Sequence, residues 1–307
     1  MKVFVFGHNG LVGEAICREM KNRGGYELVT RDRSELDLLD RNAVREALLE
    51  TKPDGVILAA AKVGGIKANN DKPVDFLSEN LQIQTNVIDA AHEADVSKLV
   101  FLGSSCIYPK FADVPIKEKF LLTGTLEPTN EAYAIAKIAG LKLIDAYNKQ
   151  FGRTWKSVMP TNVYGLRDDY VTDDSHVIPA LVRRISDAAK EGLPSVEIWG
   201  SGKPLREFIH SDDLASAVID VFENDEVTGL MNIGTGDEIS IKELAELIAE
   251  LAEFEGELIF NTSKPDGTYR KTLDSSKLAT LGWKQKISLK DGLREVIEAY
   301  KKGTAGK

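Results

Sequence analysis

The chain has 307 residues, 43% of them hydrophobic, and a formal net charge of −9. This length predicts about two domains, and the acidic balance argues against a broad nucleic-acid surface, although local arginines can still bind phosphate. The two cysteines, Cys17 and Cys106, form no CxxC or zinc-ligand spacing, so we expect no metal. Without an apolar run of membrane-spanning length or a secretory signal, we expect no membrane partner and a reducing cytoplasm.

Runs typical of strands alternate with helical patterns along the chain. The predicted strands cover residues 2–6, 27–30, 55–60, 98–102 and 155–159. The predicted helices cover residues 14–23, 80–94, 132–150, 177–186, 241–253 and 290–301. This alternation predicts an α/β fold, a Rossmann-type doubly wound parallel sheet with a smaller α/β substrate domain.

The first predicted strand runs into a glycine-rich turn, residues 7–13, with the spacing GxxGxxG. Glycines at this spacing allow a tight turn and a close approach to a pyrophosphate, which then binds amide groups at the helix N-terminus. Similar turns also join strands to helices without any ligand. The position directly after the first strand favours a dinucleotide site.

The second predicted strand ends at Arg31, Asp32 and Arg33. An acidic residue at this place binds the ribose hydroxyls of NAD, whereas arginines accommodate the 2′-phosphate of NADP. We predict NADP from the two arginines. Two alternatives stay open: the arginines are solvated loop charges, and Asp32 keeps NAD possible.

Four polar residues further along suggest chemistry at a carbonyl group. Tyr133 and Lys137 lie one helical turn apart, so an ammonium beside the phenol is expected to make its proton easier to move. Ser104 can hydrogen-bond the same carbonyl oxygen. If residues 98–105 form a strand, Cys106 follows on the face of Ser104, and the site can also handle protons on carbon.

The chain is then expected to leave the sheet and return. Ser211 or Asp212 is predicted to cap a helix that runs to Phe222, and residues 232–236 mark another crossing. We therefore predict two discontinuous domains. Residues 1–163 and 211–235 form the NADP-binding Rossmann domain, and residues 164–210 and 236–307 form the substrate-binding domain.

These motifs resemble the GDP-L-fucose synthase family of the extended short-chain dehydrogenases/reductases. The pair Tyr133 and Lys137 is typical of the whole superfamily, whereas the combination of Cys106 and His176 restricts the resemblance to this family. The resemblance runs nearly end to end and rests on residues 59–66, 104–109, 127–130, 159–165, 175–181, 199–202, 206–208 and 263–268.

The resemblance implies a bifunctional enzyme. Its substrate would be GDP-4-keto-6-deoxy-D-mannose, epimerised at C3 and C5 and then reduced at C4 with NADPH to GDP-L-fucose. Cys106 would be the base and His176 the acid on the other ring face, and both side chains suit proton transfer near neutral pH. Tyr133 would be the reductase acid, Ser104 would help to stabilise the enolate oxygen, and Lys137 would also bind the nicotinamide ribose.

The resemblance also implies two sets of binding residues. The cofactor set is Gly7, Asn9, Gly10, Leu11, Val12, Gly13, Arg31, Arg33, Asp37, Leu38, Ala59, Ala60, Lys137, Pro160, Asn162, Val163 and His176. The GDP-sugar set is Arg184, Trp199, Arg206 and Asp266, since guanidinium groups match diphosphates. One departure is Asn9, which replaces an arginine of the family, so Arg31 or Arg33 must carry more of the NADP selectivity.

Simpler interpretations remain for several residues. Cys106 can be a small core residue, His176 can cap or pack at its helix, and Tyr133 can be a packing aromatic. Trp199 can fill the core of the smaller domain as well as contact the nucleotide. We expect Cys17 to lie in the core.

Two other functions fit the fold. One is an NAD-dependent sugar-nucleotide 4-epimerase or dehydratase. This function is disfavoured by Arg31 and Arg33 and by the pair of Cys106 and His176. The other is a non-catalytic dinucleotide-sensing protein, which would not need the residues of a reductase together.

We further expect a homodimer, for which helices 80–94 and 132–150 are candidate interface elements. We also expect a mobile acidic loop at residues 166–174, near the sugar.

Overall fold

The computed structural model describes residues 1–172, 175–264 and 266–306. Its strands are β1 (Lys2–Phe6), β2 (Glu27–Val29), β3 (Gly55–Leu58), β4 (Lys98–Leu102), β5 (Lys156–Pro160), β6 (Asn162–Tyr164), β7 (Ser195–Trp199), β8 (Leu205–His210), β9 (Gly229–Ile233), β10 (Glu238–Ser240), β11 (Glu257–Asn261) and β12 (Arg270–Lys271). Its α-helices are α1 (Leu11–Arg23), α2 (Arg41–Thr51), α3 (Ile66–Asp71), α4 (Pro73–Glu93), α5 (Glu131–Phe151), α6 (Val177–Glu191), α7 (Ser211–Glu223), α8 (Ile241–Ala252), α9 (Ser276–Ala279) and α10 (Leu289–Lys301). Asp173 and Asp174 of the predicted acidic loop, and Pro265, lie outside the described residues.

Six parallel strands form the main sheet in the order β2-β1-β3-β4-β5-β9. The predicted α/β fold with a doubly wound parallel sheet is therefore confirmed. The strand order reverses at β1, because β2 lies on one side of it and β3 on the other. In such sheets, ligands bind outside the carboxyl ends of the strands at this reversal.

Both faces of the main sheet are covered by helices. Helices α2, α4 and α5 pack on one face, and α1 and α7 pack on the other. The central strands β1, β3 and β4 are accordingly almost continuous apolar runs, as parallel strands buried on both sides require. Burial on both sides leaves the connections at the strand ends as the place for polar side chains.

A second group of strands lies outside the main sheet. Strand β8 pairs with β6, β10 and β12, and β7 pairs with β11. Helices α6, α8 and α10 share a separate apolar core with these strands. Helix α7 and strand β9 return to the main sheet, which supports the predicted division into discontinuous domains; its boundaries stay a prediction.

Several predicted element ends were wrong. Helix α4 begins at Pro73 instead of residue 80, with proline in the first turn, where its missing N–H costs nothing. The cap of α7 is His210, whose Nδ1 accepts a hydrogen bond from the Asp212 amide at 3.3 Å, so neither Ser211 nor Asp212 is the cap. Among the described residues, no helix combines the length and apolar character that crossing a bilayer requires.

Candidate active site

The backbone of the glycine turn leaves no room for side chains at two positions. Gly7 has a φ of 87°, and a Cβ on it would lie 2.6 Å from the Ala60 amide nitrogen. A Cβ on Gly13 would lie 2.0 Å from the Gly7 carbonyl oxygen. Glycine at both positions is therefore required by the packing of the turn against α1 and the end of β3.

Gly10 differs because the protein itself does not exclude a side chain there. A Cβ on Gly10 would meet only the Gly7 carbonyl oxygen, at 3.4 Å. Gly10 is also the cap residue of α1, and among the residues that the structure describes no side chain caps the first amides of this helix. An open helix N-terminus binds anions, so the turn fits the pyrophosphate of a dinucleotide.

The other predicted cofactor residues lie in the connections at the same edge of the sheet. Leu11 and Val12 open α1, and Ala59 and Ala60 directly follow β3. Asp37 and Leu38 lie between β2 and α2. Pro160, Asn162 and Val163 lie at the end of β5 and in β6. Their location supports the predicted cofactor site, while their individual contacts with a cofactor stay predictions.

Asp32 is tied to the glycine turn. Its Oδ1 accepts a hydrogen bond from Asn9 Nδ2 at 2.5 Å and lies 3.2 Å from His8 Nε2. Arg31 donates from Nη1 to the carbonyl oxygen of Thr30 at 3.0 Å. The prediction of a cofactor site rested on Arg31 and Arg33. In the structure, the residue between them, Asp32, contacts the glycine turn.

The chain turns sharply after β4. Residues Ser105–Ile107 form a short 3-10 helix, and Ser104 caps it by accepting a hydrogen bond from the Cys106 amide at 3.2 Å. The predicted strand over residues 98–102 is confirmed, but it does not continue to residue 105, because β4 stops at Leu102. The turn, not strand alternation, places Cys106 beside Ser104.

The Cys106 thiol has two polar partners. Its Sγ lies 3.2 Å from Asn130 Nδ2 and 3.5 Å from Lys271 Nζ, and the residue is only half-buried. The interpretation of Cys106 as an ordinary core residue is therefore wrong.

Neither partner of this thiol was predicted from the sequence. Lys271 is 165 residues away along the chain, in the two-residue strand β12, which pairs with β8. Asn130 belongs to a segment that carried the family resemblance, but it had no assigned role. Cys17, in contrast, packs against the apolar core as expected, and burial raises the pKa of its thiol to about 11.

Tyr133 and Lys137 occupy one face of α5 as predicted. Lys137 Nζ lies 5.8 Å from the centre of the Tyr133 ring and donates to the Leu102 carbonyl oxygen at 2.8 Å. Burial lowers the pKa of Lys137 to about 7.

Burial raises the pKa of Tyr133, and the nearby Cys106 raises it further, whereas the hydrogen bond with Ser104 lowers it. The expected lowering by Lys137 is wrong for this arrangement, because that ammonium points to a backbone carbonyl. The phenol therefore keeps its proton at neutral pH.

His176 is the cap residue of α6, but within the described residues its side chain makes no capping hydrogen bond, so capping does not explain the imidazole. Its side chain is 53% exposed, and its Nδ1 lies 3.9 Å from Oδ1 of Asp168, which is almost fully buried. This carboxylate raises the pKa of His176 against the effect of desolvation. The acidic loop thus supplies a charged partner for His176. Within the described part of the chain, His176 and Cys106 share no hydrogen bond.

The predicted GDP-sugar residues surround an exposed tryptophan. Trp199 is 49% exposed, so it does not fill a core, and Arg184 and Lys264 lie 5.0 and 5.1 Å from its ring centre. Asp266 accepts hydrogen bonds from the amide and the hydroxyl of Ser201 at 2.6 and 2.7 Å. Burial lowers the pKa of Arg206, while Asp266 opposes this shift. The cluster offers cations and an aromatic face to an anionic ligand.

The glycine turn gives a matched pair of variants. Gly13→Ala is expected to lower the free energy of unfolding by about 1–3 kcal/mol, because its methyl would overlap the Gly7 carbonyl. Gly10→Ala is expected to cost less than about 1 kcal/mol but to weaken NADPH binding, since its methyl would occupy the open side of the turn. Denaturant unfolding and fluorescence titration with NADPH measure both effects. An unchanged NADPH affinity in Gly10→Ala would contradict this assignment.

The comparisons with known proteins agree with this geometry. A model of the NAD dependent epimerase/dehydratase family matches residues 3–234. GDP-L-fucose synthase of Escherichia coli K12 is 52% identical over 97% of this chain and 96% of its own length, and GDP-L-fucose synthase 1 of Arabidopsis thaliana is 54% identical over 100% and 95%. The crystal structure of a GDP-L-fucose synthetase from Naegleria fowleri bound to NADP superposes with a TM-score of 0.91 at 28% identity, over 100% of this chain and 96% of the other. The chain belongs to the NAD dependent epimerase/dehydratase family and, within it, to the GDP-L-fucose synthases.

Proposed function

We propose that this chain converts GDP-4-keto-6-deoxy-D-mannose into GDP-L-fucose by inverting C3 and C5 and then reducing the C4 ketone with NADPH. The observation that carries the proposal is the Cys106 thiol, held by Asn130 and Lys271 next to the pair of Ser104 and Tyr133. A simple ketone reductase needs a proton donor and a cofactor, but no thiol base. The added thiol supports an enzyme that also moves protons on carbon.

The epimerisation uses the acidity of protons next to the ketone. Cys106, as a thiolate, removes such a proton, and the charge of Lys271 offsets the negative charge of that thiolate. The enolate oxygen accepts hydrogen bonds from Ser104 and Tyr133, which lowers the barrier to its formation. His176 then returns a proton from the opposite face of the ring, which inverts the carbon.

The reduction uses the same ketone oxygen. NADPH, when bound at the glycine turn, supplies the hydride to C4. Tyr133 donates its proton to the oxygen that becomes the hydroxyl, and the raised pKa of this phenol keeps the proton available. Lys137 lies beside the ring and, with a pKa of about 7, is about half protonated at neutral pH.

Asp168 is proposed to prepare His176 for its role as an acid. The carboxylate faces Nδ1 of His176, so the opposite ring nitrogen remains for the substrate. The macrodipole of α6 favours a neutral histidine at this position, and the negative charge of Asp168 offsets it. The imidazolium is thereby stabilised, and its Nε2 proton is the one delivered to carbon.

The GDP end of the substrate is proposed to bind the exposed cluster around Trp199. Arg184 and Arg206 would bind the diphosphate, and burial of Arg206 strengthens its hydrogen bonds because water competes less. Asp266 would contact a donor group of the nucleotide or sugar.

We also propose that the protein acts as a cytoplasmic homodimer, in keeping with its two free cysteines and the adjacent helices α4 and α5.

The product distinguishes this proposal from the alternatives. Incubation with GDP-4-keto-6-deoxy-D-mannose and NADPH is expected to yield GDP-L-fucose, identified by NMR, with one NADPH oxidised per sugar. A reduced sugar with the manno configuration at C3 and C5 would leave a simple 4-ketoreductase. Tightly bound NAD with 4-epimerase or dehydratase products would support the rival of the same fold. Cofactor binding without turnover of any sugar nucleotide would support the dinucleotide-sensing protein.

Cys106→Ser tests the base. It is expected to slow exchange of the C3 and C5 protons of the substrate with deuterated water by about 10²–10⁴-fold, since a serine hydroxyl is a far weaker base at neutral pH. NADPH affinity should not change, because Cys106 does not line the glycine turn. The exchange is followed by NMR without NADPH. Exchange at the wild-type rate would reject Cys106 as the base.

Tyr133→Phe tests the reductase acid. It is expected to slow NADPH oxidation by about 10²–10⁴-fold, because the phenol is the proposed proton donor to the C4 oxygen. Stopped-flow absorbance measures this rate. The matched control is Tyr26→Phe, whose hydroxyl bonds Glu223 on the far side of the main sheet and should leave the rate unchanged. Near-normal reduction by Tyr133→Phe would exclude the assigned role.

Asp168→Asn tests the partner of His176. Asp168 raises the pKa of His176, so its loss is expected to lower that pKa. Epimerisation requires protonated His176 and is lost as pH rises through this pKa, so the loss should occur at a lower pH in the variant. NMR titration of the imidazole and proton exchange as a function of pH provide two independent readouts. An unchanged His176 pKa would show that Asp168 has no such effect.

A further inference from the structure

The contact between Cys106 and Lys271 joins two segments that are distant in the sequence. Lys271 Nζ lies 3.5 Å from Cys106 Sγ across 165 residues of chain. Cys106 lies in the 3-10 helix that Tyr108 follows, and Lys271 ends β12, which has only two residues. Two paired residues hold a strand weakly, so the position of Lys271 depends on contacts made by the residues that follow it.

The side chain of Asn232, in β9, bonds both of these segments and is fully buried. Its Oδ1 accepts a hydrogen bond from the Tyr108 hydroxyl, and its Nδ2 donates to the carbonyl oxygens of Ile116 and Asp274 at 2.9 and 3.2 Å. A carbonyl can only accept, so these two carbonyls orient the amide with its oxygen towards Tyr108. Burial raises the pKa of Tyr108, so the phenol keeps the proton that it donates.

The residues directly after Lys271 form a short ladder with Ile116. The Ile116 amide donates to the Thr272 carbonyl oxygen, and the Asp274 amide donates to the Ile116 carbonyl oxygen, both at 2.8 Å. Asn232 bonds both strands of this ladder from the side. The backbone that carries Lys271 is therefore tied to the same amide that binds Tyr108.

We propose that Asn232 is a positioning residue for epimerisation, which holds the Cys106 turn and the segment after Lys271 together and so keeps the ammonium beside the thiol. Because Asn232 is fully buried, it acts through Tyr108 and the ladder, not on the sugar. The inference rests on the role proposed for Cys106 and adds a residue that supports it.

Two alkylating reagents test whether the ammonium lies beside the thiol, without any sugar. Iodoacetate is an anion and iodoacetamide is neutral, and both alkylate a thiol by the same displacement of iodide. A nearby ammonium attracts the anion, so the ratio of the two alkylation rates at Cys106 reports the positive charge beside it. Mass spectrometry of the peptide that carries Cys106 separates its reaction from that of Cys17.

Three variants give the expected pattern. The ratio of iodoacetate to iodoacetamide rates is expected to fall at least about threefold in Lys271→Met, which removes the charge. Asn232→Leu removes the whole amide, and Tyr108→Phe removes one hydrogen bond to it and keeps the ring. Both are expected to approach the ratio of Lys271→Met, because the ammonium is then no longer held at the thiol.

The matched control is Tyr147→Phe. Its hydroxyl donates to Asp89 at 2.8 Å, outside this network, so the ratio should keep its wild-type value. A purely structural role of Asn232 would lower the unfolding temperature without changing the ratio, because the ratio compares two reagents on the same folded thiol. The unfolding temperature of each variant is measured alongside.

The second readout is exchange of the substrate's C3 and C5 protons with deuterated water, followed by NMR. Asn232→Leu and Tyr108→Phe are expected to slow this exchange about tenfold or more. A wild-type ratio in Tyr108→Phe would overturn the inference, and so would a wild-type ratio in Lys271→Met. A lowered ratio with wild-type exchange would also overturn it, because the contact would then not serve epimerisation.

Tyr108→Phe decides alone if Asn232→Leu does not fold. The alkylation ratio needs no sugar, so it remains readable even if the wild-type protein fails to form the proposed product. Failure of the inference is therefore distinguishable from failure of the proposed function.

Discussion

The hydrogen bond from the Cys106 amide to Ser104 Oγ determines the arrangement of the candidate active site. It ends β4 and starts the 3-10 helix, so a hydroxyl and a thiol emerge together at the edge of the main sheet. Helix α5 brings Tyr133 and Lys137 to the same place, and Lys137 bonds the last carbonyl of β4. One short turn thereby brings the residues proposed for reduction next to the residue proposed as the epimerisation base.

The smaller region of the structure supplies a lysine to the thiol and carries His176. Lys271 reaches the thiol from β12, and His176 is held by Asp168 ahead of α6. The proposed base therefore lies beside a positive charge, and the proposed acid lies beside a negative one. Asp168 raises the pKa of His176, as the proposed acid requires.

Local patterns in the sequence predicted the parts of the molecule that depend on neighbouring residues. The glycine turn, the buried strands β1 and β4, and the one-turn spacing of Tyr133 and Lys137 follow from steric and periodic rules, and the family resemblance indicated Cys106 and His176. Lys271 and Asp168 escaped prediction because their partners are brought close by tertiary folding. The contact of Asp32 with Asn9 has the same origin, since two separate strand ends meet there.

The central claim is that one site epimerises two carbons and reduces a third. The most direct measurement is turnover of GDP-4-keto-6-deoxy-D-mannose by the wild-type protein with NADPH in deuterated water, followed by NMR of the product. The account predicts GDP-L-fucose with solvent deuterium at C3 and C5 and the cofactor's hydrogen at C4. A C4-reduced sugar without deuterium or inversion at C3 and C5 would contradict it.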